Sequence, residues 1–534
     1  MSTETPHTTH PRQSAGPREW LGLAVLALPT LLLAMDVTVL YLAVPHLSVA
    51  LQPGSSELLW IADIYGFMIA GFLVTMGTLG DRIGRRKLLM IGAAAFGVAS
   101  ALAAYSTSPE MLIAARALLG IAGATLMPST LALITNMFRD PRQRGTAIGV
   151  WVTCFSAGVA LGPVLGGLLL QAFWWGSVFL LGVPVMVLLL VTAPVLLPEY
   201  RDTRAGRLDP TSVVLSLAAV LPLIYGIKEL AKDGVAVLPL SALTGGLVLG
   251  VLFVHRQPGL ASPLLDVTLF RNRSFSAALA IQLLSIAALG GVYLFITQYT
   301  QLVEGLSPFK AGLWLLPAAG ALILASALTP ALARKVPAAH VIGASLAISA
   351  VGYLVLTQVD SVSGLPVLVT GFVIVYLGIS PMLVLGTDLI VGAAPPEKAG
   401  SAAAMSETST EFGVAVGVAV LGTVGTAVYR DRMTGTFPSE VPARQAESAR
   451  ESLPNAMAAV DGLPSRLHDL LLDPARAAFT HGLNTVSAIS ALLVATLALL
   501  AVWLLPRTRP DHATTEPSGA RDTDIETTTA ITGS

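Results

Sequence analysis

The sequence predicts an all-α polytopic membrane protein of fourteen spanning helices, and three observations carry that prediction. Hydrophobic residues make up 54% of the 534-residue chain and charged residues only 12%, with a mean hydropathy of +0.74, far from the charge content of a soluble domain. Aliphatic runs of about 20 residues, the length that crosses a bilayer as a helix, recur along nearly the whole chain, where a barrel would show short alternating strands. The basic residues fall in the gaps between runs and are unevenly shared between the two faces that alternate spans define.

Taken in order, the spans lie near 20–43, 57–79, 88–105, 110–134, 147–169, 176–197, 211–230, 236–254, 274–298, 309–332, 339–357, 366–392, 400–428 and 482–505. Fourteen crossings put both termini on one side. Short loops and tails on that side hold 21 Lys and Arg; the other side holds Lys228, Lys232 and Lys310, plus six arginines in the long segment 429–480. The positive-inside rule, which leaves such long segments out, makes both termini cytoplasmic.

The polar residues 1–19 precede a full first span without a cleavage site, so they read as a cytoplasmic tail and not as a signal peptide. Residues 506–534, rich in Thr, Pro, Asp and Glu, read as a disordered cytoplasmic tail. The lone cysteine, Cys154, lies within a span, which excludes an internal disulfide and a multi-cysteine metal site.

Ionisable residues inside spans are costly in lipid and mark ion or substrate paths. Asp36 in span 1, Asp63 in span 2 and Arg116 in span 4 fall at one depth, which suggests a paired cluster; a purely structural lock among those helices is the other reading. Glu407 and Glu411 in span 13 are four apart and share a helix face. They lie in the polar stretch SETSTE, so they are either embedded acids or part of a loop ahead of a shorter span from Phe412 to Val428.

The turn GTLGDRIGRRKLL between spans 2 and 3 combines Gly77 and Gly84, which permit close approach and reversal, with Arg82, Arg85 and Arg86; Asp81 among these cations is placed for a charge-assisted lock on a neighbouring helix end. In span 5, Gly158, Gly162 and Gly166 stack on one face beside Pro163 and Gly167, a pattern for close packing and a bent axis. ALARKVPAAHV, after span 10, resembles a degraded copy of the first basic turn. The economical architecture is therefore two six-helix bundles, 20–197 and 274–505, flanking an inserted helical pair at 211–254, with substrate between the bundles near mid-membrane. Segment 429–480 faces outward as a lid or as a spacer.

These motifs coincide with a known family. The chain resembles the major facilitator superfamily, and within it the fourteen-helix drug:proton antiporters that include QacA-like exporters of quaternary ammonium compounds. Gly77, Leu79, Asp81, Arg82, Gly84, Arg85 and Arg86 match the superfamily's loop motif; Asp36, Thr38, Ala43 and Pro45 its first-helix motif; Arg116, Gly120 and Gly123 its fourth-helix motif, with Leu119 where a glutamine is often found; and the span 5 glycines with Pro163 its antiporter motif. The resemblance implies the major facilitator fold and a proton/cation role for Asp36, Asp63, Glu407 and Glu411. An acid present in helix 10 of some relatives is absent from LWLLPAAGALILA.

The expected function is proton-coupled export of lipophilic, cationic drugs or dyes across the plasma membrane by alternating access. Four acids against one arginine make full ionisation of the cluster costly, so protons and a cationic solute would compete for the same carboxylates. Tyr41, Trp60, Tyr65, Phe155 and Trp314 are candidate apolar or cation-π walls, with plain packing as the competing account. None of the six lysines follows a glycine, so there is no GK[ST] phosphate loop; HExxH, GxSxG and CxxC are also missing. The chain is thus expected to be no enzyme, to need no cofactor or metal beyond the proton gradient, to bind no nucleic acid and to work in the bilayer as a monomer. The competing functions are a dedicated exporter of one metabolite or antibiotic, a proton symporter and a non-transporting scaffold.

Overall fold

The computed structural model describes residues 15–505, apart from 54, 202–208, 234–235, 261–262, 396–397, 435–442, 461–463 and 465–466. Among the described residues there is no strand. The first bundle comprises α1 (Pro17–Leu51), α2 (Ser55–Ile83), α3 (Arg85–Ala104), α4 (Pro109–Met137), α5 (Pro141–Ala172), the single turn α6 (Ser177–Leu180) and α7 (Gly182–Leu196). The inserted pair is α8 (Pro210–Asp233) and α9 (Val237–Arg256). The second bundle comprises α10 (Arg273–Gln298), α11 (Pro308–Ala333), α12 (Ala338–Leu356), α13 (Leu365–Gly392), α14 (Ala399–Met433), two short helices α15 (Ala443–Glu451) and α16 (Leu453–Val460), and α17 (His468–Leu504).

Thirteen helical stretches are long and apolar enough to cross a membrane, with α6 and α7 counted together, and α5 makes fourteen when its segments Pro141–Val159 and Val164–Leu170 are taken as one span. Local chemistry sets the starts. Ser108 accepts from the Met111 N–H ahead of Pro109, Asp140 from Arg142 and Gln143 ahead of Pro141, and Asn272 from Ser274 and Phe275; each satisfies donors that a helix start leaves open. Gln52, left-handed at φ 48°, ends α1.

Two apolar cores form. One gathers residues from Leu23 to Leu197, and the basic-face ends of α13 and α14 enter it through Val384, Val391, Ala399 and Ala403. The other gathers residues from Leu269 to Leu505. "Basic face" here denotes the membrane side that carries the α2–α3 turn.

Two expected outlines change. The helix of the last span starts at His468, not near 482, because Leu471, Leu472, Ala475 and Phe479 are buried against the second bundle and extend the apolar stripe beyond the bilayer length. Within segment 429–480, Ala446, Ala449, Leu453, Ala456 and Val460 belong to the second core, and the Tyr429 hydroxyl donates to the Ala449 carbonyl at 2.6 Å. The described helices of that segment, α15 and α16, therefore pack on the second bundle at the ends of α14 and α17.

Candidate transport site

α14 runs unbroken through SETSTE, so Glu407 and Glu411 lie within a helix of 35 residues and the loop reading is overturned. The polar run is tolerated because α10 supplies partners. Gln282, 2% exposed, donates from Nε2 to Ser406 Oγ (3.0 Å) and Thr410 Oγ1 (2.9 Å), and Ser409 donates to the Leu279 carbonyl (3.2 Å). Buried hydroxyls are thereby satisfied on the face that meets α10, while Glu407 and Glu411 occupy an adjoining, half-buried face.

In the first bundle Arg116 of α4, 1% exposed, reaches Asp36 of α1 with Nη1 to Oδ2 at 3.5 Å. Its guanidinium lies over the rings of Tyr65 (5.2 Å) and Phe179 (5.9 Å), an arrangement in which the aromatic quadrupoles partly replace water around the cation. Among the described residues the Tyr65 hydroxyl and Arg116 Nε are buried without a hydrogen-bond partner. Tyr65 interacts electrostatically with Asp36, Arg116 and also Glu411, and Glu407 interacts with Glu411. The two bundles thus contribute opposed parts of one charged cluster: Asp36, Tyr65 and Arg116 from the first, Glu407 and Glu411 from the second.

The span 5 glycines set the position of Asp36. A Cβ at Gly158 would lie 2.2 Å from the Leu31 carbonyl oxygen and one at Gly166 would lie 2.9 Å from Val39, so α5 contacts α1 on either side of Asp36. Gly162 is buried and Gly167 half-buried in the same helix. The side chains of Thr38, Tyr41, Pro45, Asp63 and Pro163 lie outside the described residues. Of the aromatic candidates, Tyr65 joins the cluster. Trp60 stacks on Tyr225 of α8 (6.5 Å), Phe155 packs on the first core, and Trp314 is 45% exposed on α11.

The basic face is shut by contacts between bundles. Arg85 is fully buried and binds Asp81 through Nε (2.8 Å) and again through Nη2; Asp81 Oδ2 accepts from Ser401 Oγ in the first turn of α14 (3.4 Å). Gly77 lies against α14, where a Cβ would fall 2.6 Å from that of Ala404 and 2.8 Å from the Gly400 carbonyl oxygen. Gly84 turns the chain at φ +114°, a conformation side chains resist, and Arg86 ties the start of α3 to the Leu197 carbonyl (3.0 Å) and Glu199. Arg82 stands half-buried in the last turn of α2.

Two more contacts between the bundles close this face, Arg144 Nε to Asp388 Oδ1 at 2.9 Å and Arg334 Nη2 to Thr146 Oγ1 at 3.1 Å, while Lys398 at the start of α14 pairs with Asp266 of the linker before α10. Burial works to raise the Asp266 carboxyl, but hydrogen bonds from Lys398 and Thr268 outweigh it and hold the group below the ordinary carboxylate range. Gln282 was legible as a lone amide in an apolar run. Asp388 was legible as an acid inside the span 366–392, whereas Ser401 carried no such signal, because its partner comes from a distant span.

The superfamily profile described as Major Facilitator Superfamily matches residues 26–418. The chain belongs to that superfamily. It is an integral, multi-pass membrane transporter by that membership and by its helices. Among superfamily members it is 44% identical over 490 residues to the multidrug efflux pump LfrA of Mycolicibacterium smegmatis, covering 92% of this chain and 96% of that one. It is 34% identical to the methyl viologen resistance protein SmvA of Salmonella typhimurium, covering 89% and 97%. It is also 30% identical to the tetracenomycin C resistance and export protein of Streptomyces glaucescens, covering 93% and 95%. The crystal structure of the human organic anion transporter MFSD10 superposes with a TM-score of 0.57 at 16% identity, over 90% of this chain and all of that one, and shares the superfamily's fold.

Proposed function

We propose that this chain exports lipophilic drugs, organic cations foremost, across the plasma membrane in exchange for protons, with its basic face and both termini in the cytoplasm. The observation that carries the proposal is the Asp36–Arg116 pair of one bundle lying, with Tyr65 beside it, within electrostatic range of Glu411 of the other. Asp36 meets the Arg116 guanidinium, while Glu407 and Glu411, one helical turn apart, repel each other, so the cluster gains from taking up a proton or a cation. Those two ligands exclude each other on electrostatic grounds, and their alternation at one place is exchange. The state described is shut on the basic face, which leaves the acids to be served from the opposite side. Opening that face would break the Asp81–Ser401, Arg144–Asp388 and Arg334–Thr146 contacts.

Relatives named for multidrug efflux and for methyl viologen resistance support a cationic cargo. The tetracenomycin C relative favours a second reading, a pump dedicated to one natural product. Proteoliposomes with an imposed pH gradient, loaded in turn with cationic, neutral and anionic solutes, separate the two. In inverted vesicles Asp36→Asn and Glu411→Gln each abolish gradient-driven uptake of a cationic dye; retained coupling in both overturns the role given to these acids.

A further inference from the structure

The inserted helices sit across one of the two seams where the bundles meet. α8 packs on α2 of the first bundle and α14 of the second: a Cβ on Gly71 of α2 would come within 2.7 Å of Leu221, and Ile224, with Val220 and Tyr225 beside it, forms a separate apolar cluster with Phe67, Ala70 and Phe412. Phe412 directly follows Glu411, so this cluster lies at the depth of the acids. Toward the face opposite the basic one, Tyr225 stacks on Trp60 with ring planes 11° apart. Beyond α9 the chain returns to the same seam. Gln257 is fully buried and accepts the N–H groups of Leu264 and Leu265; the Leu264 carbonyl then accepts from Thr78 of α2 at 2.7 Å, and Asp266 pairs with Lys398 at the start of α14. The seam is therefore covered at three levels.

The second seam, between α5 and α11, is built otherwise. Its helices meet directly, with Gly149 against Pro330 (2.6 Å to a Cβ) and Gly167 against Phe309 (3.8 Å). Among the described residues the inserted pair does not pack on it, and Leu168, Phe309, Leu313 and Trp314 stand 45–58% exposed. At its basic-face end this seam is shut by Gly149 against the Pro330 ring, but toward the opposite face a solute dissolved in the bilayer meets Leu168, Phe309, Leu313 and Trp314, whose side chains can rotate aside; at the α2–α14 seam it meets a whole helix.

We propose that α8 and α9, with Gln257 and residues 263–272 after α9, form a lateral seal, and that membrane-dissolved substrate passes between the bilayer and the acid cluster by the α5–α11 seam alone. This rests on the reading of the cargo as lipophilic. The test uses the full chain with Cys154→Ser in proteoliposomes and an azido derivative of tetraphenylphosphonium as photoreactive probe. Adducts are expected on α5 and α11 and absent from α8. Adducts on α8, or on the α2 face beneath it, overturn the proposal. A Gly71→Cys, Leu221→Cys disulfide, which pins α8 to α2, is expected to leave gradient-driven dye efflux at the rate of the reduced protein; efflux lost on oxidation and regained on reduction shows that α8 must leave the seam, and also overturns it. Efflux in the unmodified chain is read in the same liposomes. A chain that pumps yet labels on α8 refutes the seal alone, and one that labels on α5 and α11 without pumping refutes the exporter alone.

Discussion

Two aspartate–arginine pairs lie buried in the first bundle, and they are built differently. Asp81 and Arg85 are one turn apart across the α2–α3 reversal, share two contacts and receive a third from Ser401 of the other bundle. Asp36 and Arg116 come from separate helices, touch once at 3.5 Å, and leave Arg116 Nε without a partner against two aromatic rings. A buried charge needs close geometry and full hydrogen bonding to repay its desolvation. The first pair comes nearer to that condition, although Arg85 Nη1 has no hydrogen bond among the described residues, and is built as a latch would be. The second falls short of it, and under the proposed exchange this shortfall is what lets a proton or a cation enter its field with a net gain.

The comparison breaks or sharpens in measurable ways. The largest effect is expected where the tight pair loses one member. Arg85→Met strands the Asp81 carboxylate and should cost about 3–5 kcal/mol, read as a large fall in thermal unfolding temperature, and adding Asp81→Leu should recover most of it. Equal destabilisation by the single and double variants would contradict the latch. At the loose pair the pattern inverts. Asp36→Asn combined with Arg116→Gln should fold near normally yet lose efflux by about 100-fold, the scale of removing a proton-transferring group; transport surviving in a stable double variant would remove the distinction drawn between the pairs.

A packing change near Asp36 comes next. Gly158→Leu places side-chain atoms where the Leu31 carbonyl already lies 2.2 Å from a Cβ; overpacking should cost about 1–3 kcal/mol and lower efflux more than it lowers stability, because α1 carries the acid. Gly84→Ala should cost about 1–2 kcal/mol for the left-handed backbone alone, with added crowding from Glu199 at 2.5 Å, and leave the efflux rate per folded molecule unchanged. The smallest effect belongs to Asp209, which sits exposed at the start of α8 and is held to about 2 by hydrogen bonds from Arg256 and Ser212. Its contribution is complete above the ordinary carboxylate value and is lost only as pH falls through about 2. Asp209→Asn should therefore lower the unfolding temperature slightly at any pH where the pump is assayed, as for a solvent-screened pair, and the difference from the parent chain should vanish only as pH falls toward about 2.

Much of this was legible along the chain. Crossing the bilayer depends on the summed transfer energy of some 20 consecutive residues, a local quantity, so the spans could be counted in order. Embedded acids and an arginine at one depth likewise implied a pair, since neither tolerates lipid alone, and Asp36 does meet Arg116. The rotation of each helix about its axis was not legible. Lipid and protein interior are equally apolar, so composition leaves open which stripe turns inward. Only packing could set Glu411 toward Tyr65, seat Ser401 on Asp81, satisfy SETSTE through Gln282 and lay α8 over the α2–α14 seam, because each of those contacts joins residues far apart in sequence whose meeting depends on how whole helices fit.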